Sequence, residues 1–333
     1  MKKTFYYKIF VHQKLREIKR SFKIIYLLPI FVLGISSLDN FYLISLFNSL
    51  SFQIVIALLV FSILLMILKK HQLGIISFAS ALYLLASISV FDNTQHSSKN
   101  SLDNFSVSHY NVLRTNKDYD TIINSALNSN SDIISFQEIS SDWKKVLISK
   151  LSEKYPYHII EDNDLDFFGI ALFSKHKIER PKIVYIQGVP NIFASIEKNN
   201  TFIDIITAHT NSPINKTRFK QRNKHIRYLS EILKNNENPL LVIGDFNAVP
   251  WDSNIENFEK TTGLKDSRNA LLSTWPRQLG YFGIPLDYIF HSKNITCEDF
   301  QVIDKSSSDH CGIKGVYSVD LQQRDNIVLN NIK

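Results

Sequence analysis

Two long uncharged runs near the N-terminus place the strongest constraint on what this 333-residue chain can fold into. Residues 52–68 form a run of 17 and residues 73–90 a run of 18, and neither contains a charged side chain. At ~1.5 Å per helical residue, each run approaches the ~30 Å thickness of the hydrocarbon core of a bilayer. We therefore expect both runs to be transmembrane helices rather than helices of a soluble core.

A third apolar run, residues 24–38, has only 15 residues and contains Pro29. Because this is shorter than the usual ~17 to 25, we predict a span that recruits residues on one of its flanks. Residues 1–91 are thus predicted to be an N-terminal membrane region with about three transmembrane helices. Residues 92–104 are rich in Ser and Asn and are predicted to be a linker. Residues 105–333 then form a separate domain.

The basic residues near the runs predict an orientation. Residues 1–23 contain eight Lys and Arg and one acid, the loop at 39–51 has no Lys or Arg, and Lys69 and Lys70 separate the second and third spans. Since basic residues favour the cytoplasmic side, the N-terminus is expected to be cytoplasmic. Three spans then place the domain on the extracytoplasmic side of the membrane.

The formal net charge of +7 has the same origin. Residues 1–104 contain 11 basic and four acidic residues, whereas residues 105–333 contain 27 of each. The excess therefore does not indicate a nucleic-acid surface. A basic cluster at residues 216–227 is predicted to be a solvated helix, with contact to phosphate or lipid headgroups as the less favoured alternative. The spacing of Cys297 and Cys311 permits a disulfide without requiring one.

After the linker, short apolar segments alternate with amphipathic ones, which predicts an α/β domain. Many strands with only a few long helices favour a layered sandwich over a doubly wound sheet. The expected helices are 119–128, 141–154 and 217–234. The expected strands are 105–110, 133–136, 157–160, 170–174, 183–186, 193–196, 202–208, 240–243, 287–290, 300–303 and 312–319.

Polar residues follow one predicted strand after another. Asp245 and Asn247 come after the buried run 240–243 and Gly244, and side chains two apart in extended backbone point to the same side. Each alone could be an ordinary turn residue. The same pattern recurs at other strands, with Asn111, Glu138, His209, Asp287, Asp309 and His310. So many polar strand ends favour a functional site, because loops converge there in layered α/β proteins.

The chemistry of this set is that of carboxylates, carboxamides and histidines. It contains no nucleophilic Ser or Cys paired with a base, no Gly-rich phosphate loop and no Cys/His zinc cluster. Oxygen ligands suit a hard cation such as Mg²⁺, and a carboxylate-supported histidine can activate water. The sequence therefore favours metal-assisted hydrolysis of a phosphate ester.

Seven short blocks carry a family resemblance: HYNVL, SFQEIS, GIALFSK, AHTNSP, GDFNAVPW, LDYIF and SDH. In this order they resemble the endonuclease/exonuclease/phosphatase superfamily, the deoxyribonuclease I-like phosphoesterases. With TWP at 274–276 and the preceding apolar runs, the chain looks most like bacterial membrane-bound members, so the expected membrane is the bacterial cell membrane. The resemblance implies an α/β fold, a four-layer α/β/β/α sandwich, preceded here by a helical transmembrane region.

The resemblance also implies roles for the polar residues. A divalent metal, Mg²⁺ or Mn²⁺, would be held chiefly by Glu138, with Asn111 and Asp309 as neighbouring metal-site residues. His310 would be the general base for the attacking water, and Asp287 would orient it.

Three further residues receive roles from the same resemblance. Asp245 and Asn247 would position water and phosphate oxygens, and His209 would stabilise charge developing on the phosphoryl group. Some members pair the equivalent of His209 with an acid. In this chain that partner stays open among Asp162, Asp164 and Asp166.

The sequence thus predicts a membrane-anchored, extracytoplasmic, divalent-metal-dependent phosphoesterase. Its substrate would be a phosphodiester or phosphomonoester, and a lipid-linked one is at least as well supported as DNA. An extracytoplasmic nuclease is the alternative, and a catalytically silent binding module is less favoured. The identity of the substrate, the oligomeric state and the number of metal ions stay open.

The orientation is testable with topology reporters. A reporter fused after residue 95 should be active only in its extracytoplasmic form, whereas one fused at Lys70 should behave as cytoplasmic. Periplasmic phosphatase and cytoplasmic fluorescent-protein fusions at both positions measure this. Cytoplasmic behaviour at residue 95 would contradict the three-span prediction.

Overall fold

The computed structural model describes residues 27–88, 104–198 and 201–319. The chain divides into two compact units, residues 1–90 and residues 91–333. The described helices are α1 (Leu28–Ser37), α2 (Tyr42–Ser49), α3 (Ser51–Ile67), α4 (His71–Ile88), α5 (Tyr119–Ser129), α6 (Ser141–Leu151), α7 (Lys216–Leu233) and α8 (Ser253–Thr262). A short 3₁₀ segment covers Arg277–Phe282.

In the N-terminal unit, α3 and α4 form an antiparallel pair with polar groups between them. Ser62 Oγ donates to the carbonyl oxygen of Gly74 at 2.8 Å, and Ser77 Oγ donates to that of Leu58 at 2.8 Å. Large apolar side chains of the same helices are exposed, among them Val60, Ile63, Ile67 and Ile75. Other apolar side chains of these helices, such as Leu58, Leu65 and Leu84, are buried, so apolar groups lie both between the helices and on their exposed faces.

The described helices correspond to the predicted spans only in part. By length and composition α4 could cross a membrane by itself, and α2 with α3, bent by 67°, could provide a second, broken span. The predicted loop at 39–51 contains the helix α2, and its place outside the membrane stays a prediction. Of the predicted first span, residues 24–26 lie outside the described residues, and α1 has only 10 residues. The three-span orientation therefore stays a prediction.

The second unit contains two six-stranded mixed sheets. Its strands are β1 (Phe105–Asn111), β2 (Ile133–Gln137), β3 (Tyr157–Glu161), β4 (Ile170–Ser174), β5 (Ile178–Ile186), β6 (Val189–Lys198), β7 (Thr201–Ala208), β8 (Leu240–Asp245), β9 (Lys265–Asp266), β10 (Asp287–His291), β11 (Ile295–Ile303) and β12 (Gly312–Val319). The first sheet has the order β11-β12-β1-β2-β4-β3, and the second has the order β5-β6-β7-β8-β10-β9. In each sheet, one parallel pair lies near the centre: β1 with β2, and β7 with β8.

Alternating side chains of the central strands produce the layers. In β8, Leu241 and Ile243 pack in the core between the sheets, whereas Leu240 and Val242 pack on the other face against α7 and α8. The first sheet likewise packs its outer face against α5 and α6. The predicted α/β/β/α sandwich is therefore confirmed. The predicted linker lies outside the described residues except for residue 104.

Several element boundaries differ from the predicted ones. The strands β5, β6 and β11 begin four to five residues before their predicted starts. In β5 and β11, polar or charged residues occupy the more exposed early positions, and in β6 the early part contains Pro190 and the buried Asn191. Helix α8 was not expected: Asp252 caps it by accepting from Asn254 N at 2.9 Å, and Gly263 ends it in the left-handed conformation. The predicted disulfide option is not used, since Cys297 and Cys311 are both free and buried.

Candidate active site

The two sheets are joined by polar contacts at the edge where the predicted site residues lie. Gln137, at the end of β2, accepts a hydrogen bond from Asp245 N at 2.9 Å and donates to the carbonyl oxygen of Ala208 at 2.6 Å. Gly244 makes this approach possible. A Cβ at that position would lie 1.9 Å from the Ala208 oxygen, so any larger residue would push the strands apart.

Glu138 follows directly and presents its carboxylate to the same edge. Its backbone has φ 64°, a conformation that costs a non-glycine residue energy and that often marks functional sites. Asn111 Nδ2 donates to Glu138 Oε1 at 3.0 Å, and Arg114 N donates to Oε2 at 3.2 Å. Because Asn111 Oδ1 accepts from Leu113 N at 3.1 Å, the carboxamide turns its nitrogen, not its oxygen, toward Glu138.

Asp287 lies at the start of β10, opposite Asp245 in the register of the second sheet. Its side chain is fully buried, and both oxygens are hydrogen-bonded: His310 Nδ1 lies 2.8 Å from Oδ2, and His109 Nε2 lies 3.1 Å from Oδ1. This arrangement leaves His310 Nε2 facing Asp245 Oδ2 at 3.7 Å. Thr274 Oγ1 holds the strand by accepting from Asp287 N at 3.2 Å.

His209 and Asn247 border the same carboxylate. His209 Nε2 lies 3.8 Å from Asp245 Oδ2, and its Nδ1 has no hydrogen-bond partner among the described residues. Asn247 has φ 49°, and its Nδ2 donates to the carbonyl oxygen of Thr210 at 3.0 Å. Arg222, from the basic helix α7, is fully buried and donates to the carbonyl oxygen of Asn247 at 2.8 Å.

The acids considered as partners of His209 are engaged elsewhere. Asp162 pairs with Lys144 at 2.7 Å, Asp164 accepts from Ser141 N at 2.8 Å, and Asp166 accepts from Phe168 N at 2.9 Å. The side chain against His209 is instead the ring of Phe168, with centroids 5.5 Å apart. The carboxylate nearest to His209 in these contacts is Asp245.

Asp309 is half-buried beside His310. Its Oδ2 accepts from Trp275 Nε1 at 3.0 Å, and its Oδ1 accepts from Ser308 Oγ at 3.3 Å. The negative charge of Asp309 adds to the burial that raises the pKa of Glu138. Asp309 is therefore close enough to the site to influence its charge balance.

The pKa values of His209 and His310 are shifted in opposite directions. Burial, together with the charges of His310 and His109, lowers the pKa of His209 to about 3, so His209 is neutral at physiological pH. Burial alone would lower the pKa of His310, but the charge and hydrogen bond of Asp287 outweigh burial and raise it to about 10. For Asp287, burial opposes ionisation, yet the His310 charge and the two histidine hydrogen bonds hold its pKa well below the usual range.

Two carboxylates of the site lie in surroundings that disfavour their ionised form, and a bound cation would stabilise that form. Burial and then the charge of Asp287 raise the pKa of Asp245 to about 8, and burial also raises that of Glu138. Asp245, Asp287 and His310 each offer a ligand atom, and these atoms lie within 4.8 Å of one another. The donor set therefore fits a divalent cation, either at Glu138 or within the group of Asp245, Asp287 and His310.

A sequence model of the Endonuclease/Exonuclease/phosphatase family matches residues 104–310, which is more than half of the chain. The chain belongs to this family. No curated protein matches the sequence.

Solved structures of low identity share the fold of the endonuclease/exonuclease/phosphatase domain. A humanized D. rerio TDP2 has 17% identity and a TM-score of 0.56, covering 65% of this chain and 99% of that one. A family protein from Bacteroides thetaiotaomicron has 18% identity and a TM-score of 0.56, and the match covers 66% of this chain and 96% of that one. The mannosyl-6-phosphatase Bt3783 of the same organism has 17% identity and a TM-score of 0.55, and the match covers 64% of this chain and 99% of that one. At these identities the likeness shows the fold alone.

All eight residues singled out from the sequence of this family member lie at one edge of the sandwich. They are Asn111, Glu138, His209, Asp245, Asn247, Asp287, Asp309 and His310. Sequence reasoning missed His109, which is fully buried and bonded to Asp287. Its signal was available: His109 and Asn111 are two apart in β1 and therefore point to the same side.

The contribution of His109 can be measured by substitution. His109→Leu removes one of the two donors to the buried Asp287 carboxylate, and loss of a hydrogen bond to a charged group costs about 1.5–3 kcal/mol. We expect the free energy of unfolding to fall by that amount, and to fall less in His109→Gln, which keeps an N–H donor. Denaturant titration followed by tryptophan fluorescence suits this test, because Trp143, Trp251 and Trp275 are the only tryptophans of the chain.

The exposed His158→Leu variant is the control for replacing a histidine on a strand. Equal losses in His109→Leu and His109→Gln would mean that His109 stabilises the domain by filling space and not through its hydrogen bond.

Proposed function

We propose that this protein is a membrane-anchored phosphoesterase that uses a divalent cation and a histidine-activated water to hydrolyse a phosphodiester or phosphomonoester. The observation that carries the proposal is the orientation of His310. Its Nδ1 is fixed on Asp287 at 2.8 Å, so that Nε2 faces the Asp245 carboxylate at 3.7 Å. A histidine held in one tautomer beside a group of carboxylates is suited to proton transfer from water.

Glu138 is the group we propose as principal ligand of the cation, with Mg²⁺ as the ion. Two hydrogen bonds, from Asn111 Nδ2 and Arg114 N, already orient its carboxylate. In this arrangement Asn111 positions Glu138, and Asp309 adds negative charge close by. The alternative group of Asp245, Asp287 and His310 is less suited, because His310 and Asp287 use their facing atoms for each other. The bound cation would supply positive charge beside the phosphoryl oxygens.

We assign proton transfer, positioning of the substrate and stabilisation of charge to side chains of the chain itself. With the pKa of His310 at about 10, its ring is protonated, and the positive charge of a cation at Glu138 would lower that pKa. Neutral His310 Nε2 would then accept a proton from the attacking water, and Asp287 would stabilise the imidazolium that results. Asp245 and Asn247 hold water and phosphate oxygens in place. Neutral His209 donates a hydrogen bond to an oxygen that gains charge in the transition state, since its pKa of about 3 leaves an N–H without adding a positive charge.

The class of substrate is supported by the surroundings of the site and by the relatives. Among the structural neighbours, one is a mannosyl-6-phosphatase, and a D. rerio TDP2 was solved with a single-stranded DNA product. We favour a lipid-linked phosphate ester on the extracytoplasmic side, because the exposed apolar faces of α3 and α4 are suited to a bilayer. A nuclease is the second candidate, and the exposed Lys216, Lys220, Lys224 and Arg227 of α7 are what favour it.

A hydrolysis screen tests the proposal directly. The purified full-length chain would be assayed with Mg²⁺ against phospholipids, prenyl pyrophosphates, nucleotides and single- and double-stranded DNA. We expect turnover of at least one phosphate ester and its loss on chelation. A silent binding module would hydrolyse none of them.

The role of Glu138 predicts a specific metal phenotype. Glu138→Gln removes the charge while nearly keeping the shape, so the domain should fold but its affinity for Mg²⁺ should fall at least ~10-fold. Isothermal titration with Mg²⁺ measures this, and turnover at increasing Mg²⁺ gives a second reading. Glu153→Gln, at an exposed position after α6, is the matched control. Unchanged affinity in Glu138→Gln together with loss in Asp245→Asn would move the cation to the Asp245 group.

The proposed base predicts non-additive losses. General-base assistance is worth ~10² to 10⁴ in rate, so His310→Ala should lower turnover by about that range with folding retained. Asp287→Asn should give a smaller defect, because it disturbs the orientation of His310 without removing it. The double variant should lose little more than His310→Ala alone, since the two act as one unit. Turnover numbers of the three variants on the best substrate of the screen decide this, and additive losses would give Asp287 a separate role.

A further inference from the structure

The exposed large apolar side chains in the loops of the second unit lie beside the site, whereas others, such as Tyr185 and Phe202, lie on its strands. Among its described residues, the large exposed apolar side chains outside the α-helices and β-strands all fall in three segments, residues 162–168, 211–215 and 277–282. We use the name apolar rim for Leu165, Phe167, Ile214, Leu279 and Tyr281. Leu165 is 95% exposed and Tyr281 is 85% exposed. Exposed apolar groups collected in this way mark an interaction surface.

The first segment is fixed between two parts of the site. Asn163 N donates to the carbonyl oxygen of Ile139, the residue after Glu138, at 2.9 Å. At its other end, the ring of Phe168 packs edge-on against the ring of His209. Leu165 and Phe167 lie between these two anchors, so their exposed side chains are held beside the site.

The other two segments are anchored in the same way. Residues 211–215 begin two positions after His209, and Ile214 within them is 66% exposed. In the third segment, Arg277 N donates to the carbonyl oxygen of Asp309 at 2.8 Å, which places Leu279 and Tyr281 next to the loop of His310. All three segments are therefore fastened to residues that adjoin the proposed base, the ion ligand or His209.

Charge distinguishes between the candidate occupants of the rim. A polyanion such as DNA is bound through clustered Lys and Arg. The three segments contain three Asp and one basic residue, Arg277, and the Arg114 guanidinium lies over the Phe167 ring at 4.8 Å from the centroid. Residues 105–333 have equal numbers of acidic and basic side chains. Apolar side chains on loops are suited to the interface of a bilayer, where they enter the boundary between headgroups and acyl chains. The exposed apolar helices α3 and α4 of the same chain supply an anchor to such a bilayer.

We propose that the apolar rim docks on the bilayer surface and that the substrate is an amphiphilic phosphate ester taken from that bilayer. The rim would enter the lipid interface, so that a headgroup phosphate reaches Glu138 and His310 while the chains of the lipid remain in the membrane. The substrate part of this inference rests on the proposed hydrolase function. Docking itself needs no turnover and can be measured separately.

Docking is tested with spin labels on the full-length chain in nanodiscs of phosphatidylethanolamine and phosphatidylglycerol. One label is placed at Tyr281→Cys and the other at Asn235→Cys, an exposed position before β8, at the strand end opposite to Asp245. Cys297 and Cys311 are buried and should not react. We expect the label at 281 to be several-fold more accessible to oxygen than to a water-soluble nickel chelate, relative to the label at 235.

Substrate presentation is tested by a ratio of activities. Leu279→Ser/Tyr281→Ser should lower the ratio of turnover on vesicle phospholipid to turnover on water-soluble bis-p-nitrophenyl phosphate by ~10-fold or more, because each large apolar side chain contributes that much to partitioning. Ile232→Ser, at an exposed position near the end of α7, is the control and should leave the ratio unchanged.

The outcomes separate the two proposals. Equal accessibilities at 281 and 235 would show that the rim does not dock, whatever the activity. Docking without hydrolysis of any phosphate ester would support the proposal that the apolar rim binds the bilayer and would contradict the proposed hydrolase function. Immobilisation of the label at 281 by single-stranded DNA in place of the bilayer would overturn the lipid assignment.

Discussion

The buried carboxylate of Asp287 is the group on which the site depends. A carboxylate removed from water costs several kcal/mol unless it is paired and hydrogen-bonded. Here both oxygens have donors, His109 from β1 of the first sheet and His310 from the loop before β12. The same bonds that make the charge tolerable fix the direction of His310 Nε2. The packing of the two sheets and the geometry of the proposed base therefore depend on the same hydrogen bonds.

Polar contacts across an otherwise apolar core add to this coupling. Ser135 and Thr207 hydroxyls lie 2.6 Å apart between the sheets, and Gln137 bonds to both Asp245 N and the Ala208 carbonyl. Because side chains alternate along a strand, a slip of one residue in β2 would point these groups to the outer face. Buried polar pairs of this kind discriminate between registers that apolar packing alone would tolerate.

Much of the fold and site could be predicted because the signals are local. Apolar runs gave the central strands, and polar residues at their ends gave the eight site residues. What was missed depends on distant partners: the spacing of His109 to Asn111 shows its side of the sheet, but its acid, Asp287, lies 178 positions away. The helix α2 was missed because an uncharged stretch between two apolar runs also fits a short loop.

Arg222 shows how a charge can be misjudged from its neighbours in sequence. It belongs to the basic cluster of α7, yet it is buried, pairs with Asp252 at 2.7 Å and holds the backbone of Asn247. A charge-neutralisation scan of that helix, of the kind used to locate anionic ligands, would thus mix two effects. Replacing Lys220 or Lys224 would report on the surface. Replacing Arg222 would leave Asp252 unpaired and release the loop of Asn247, and the resulting loss of activity would imitate the loss of a ligand contact.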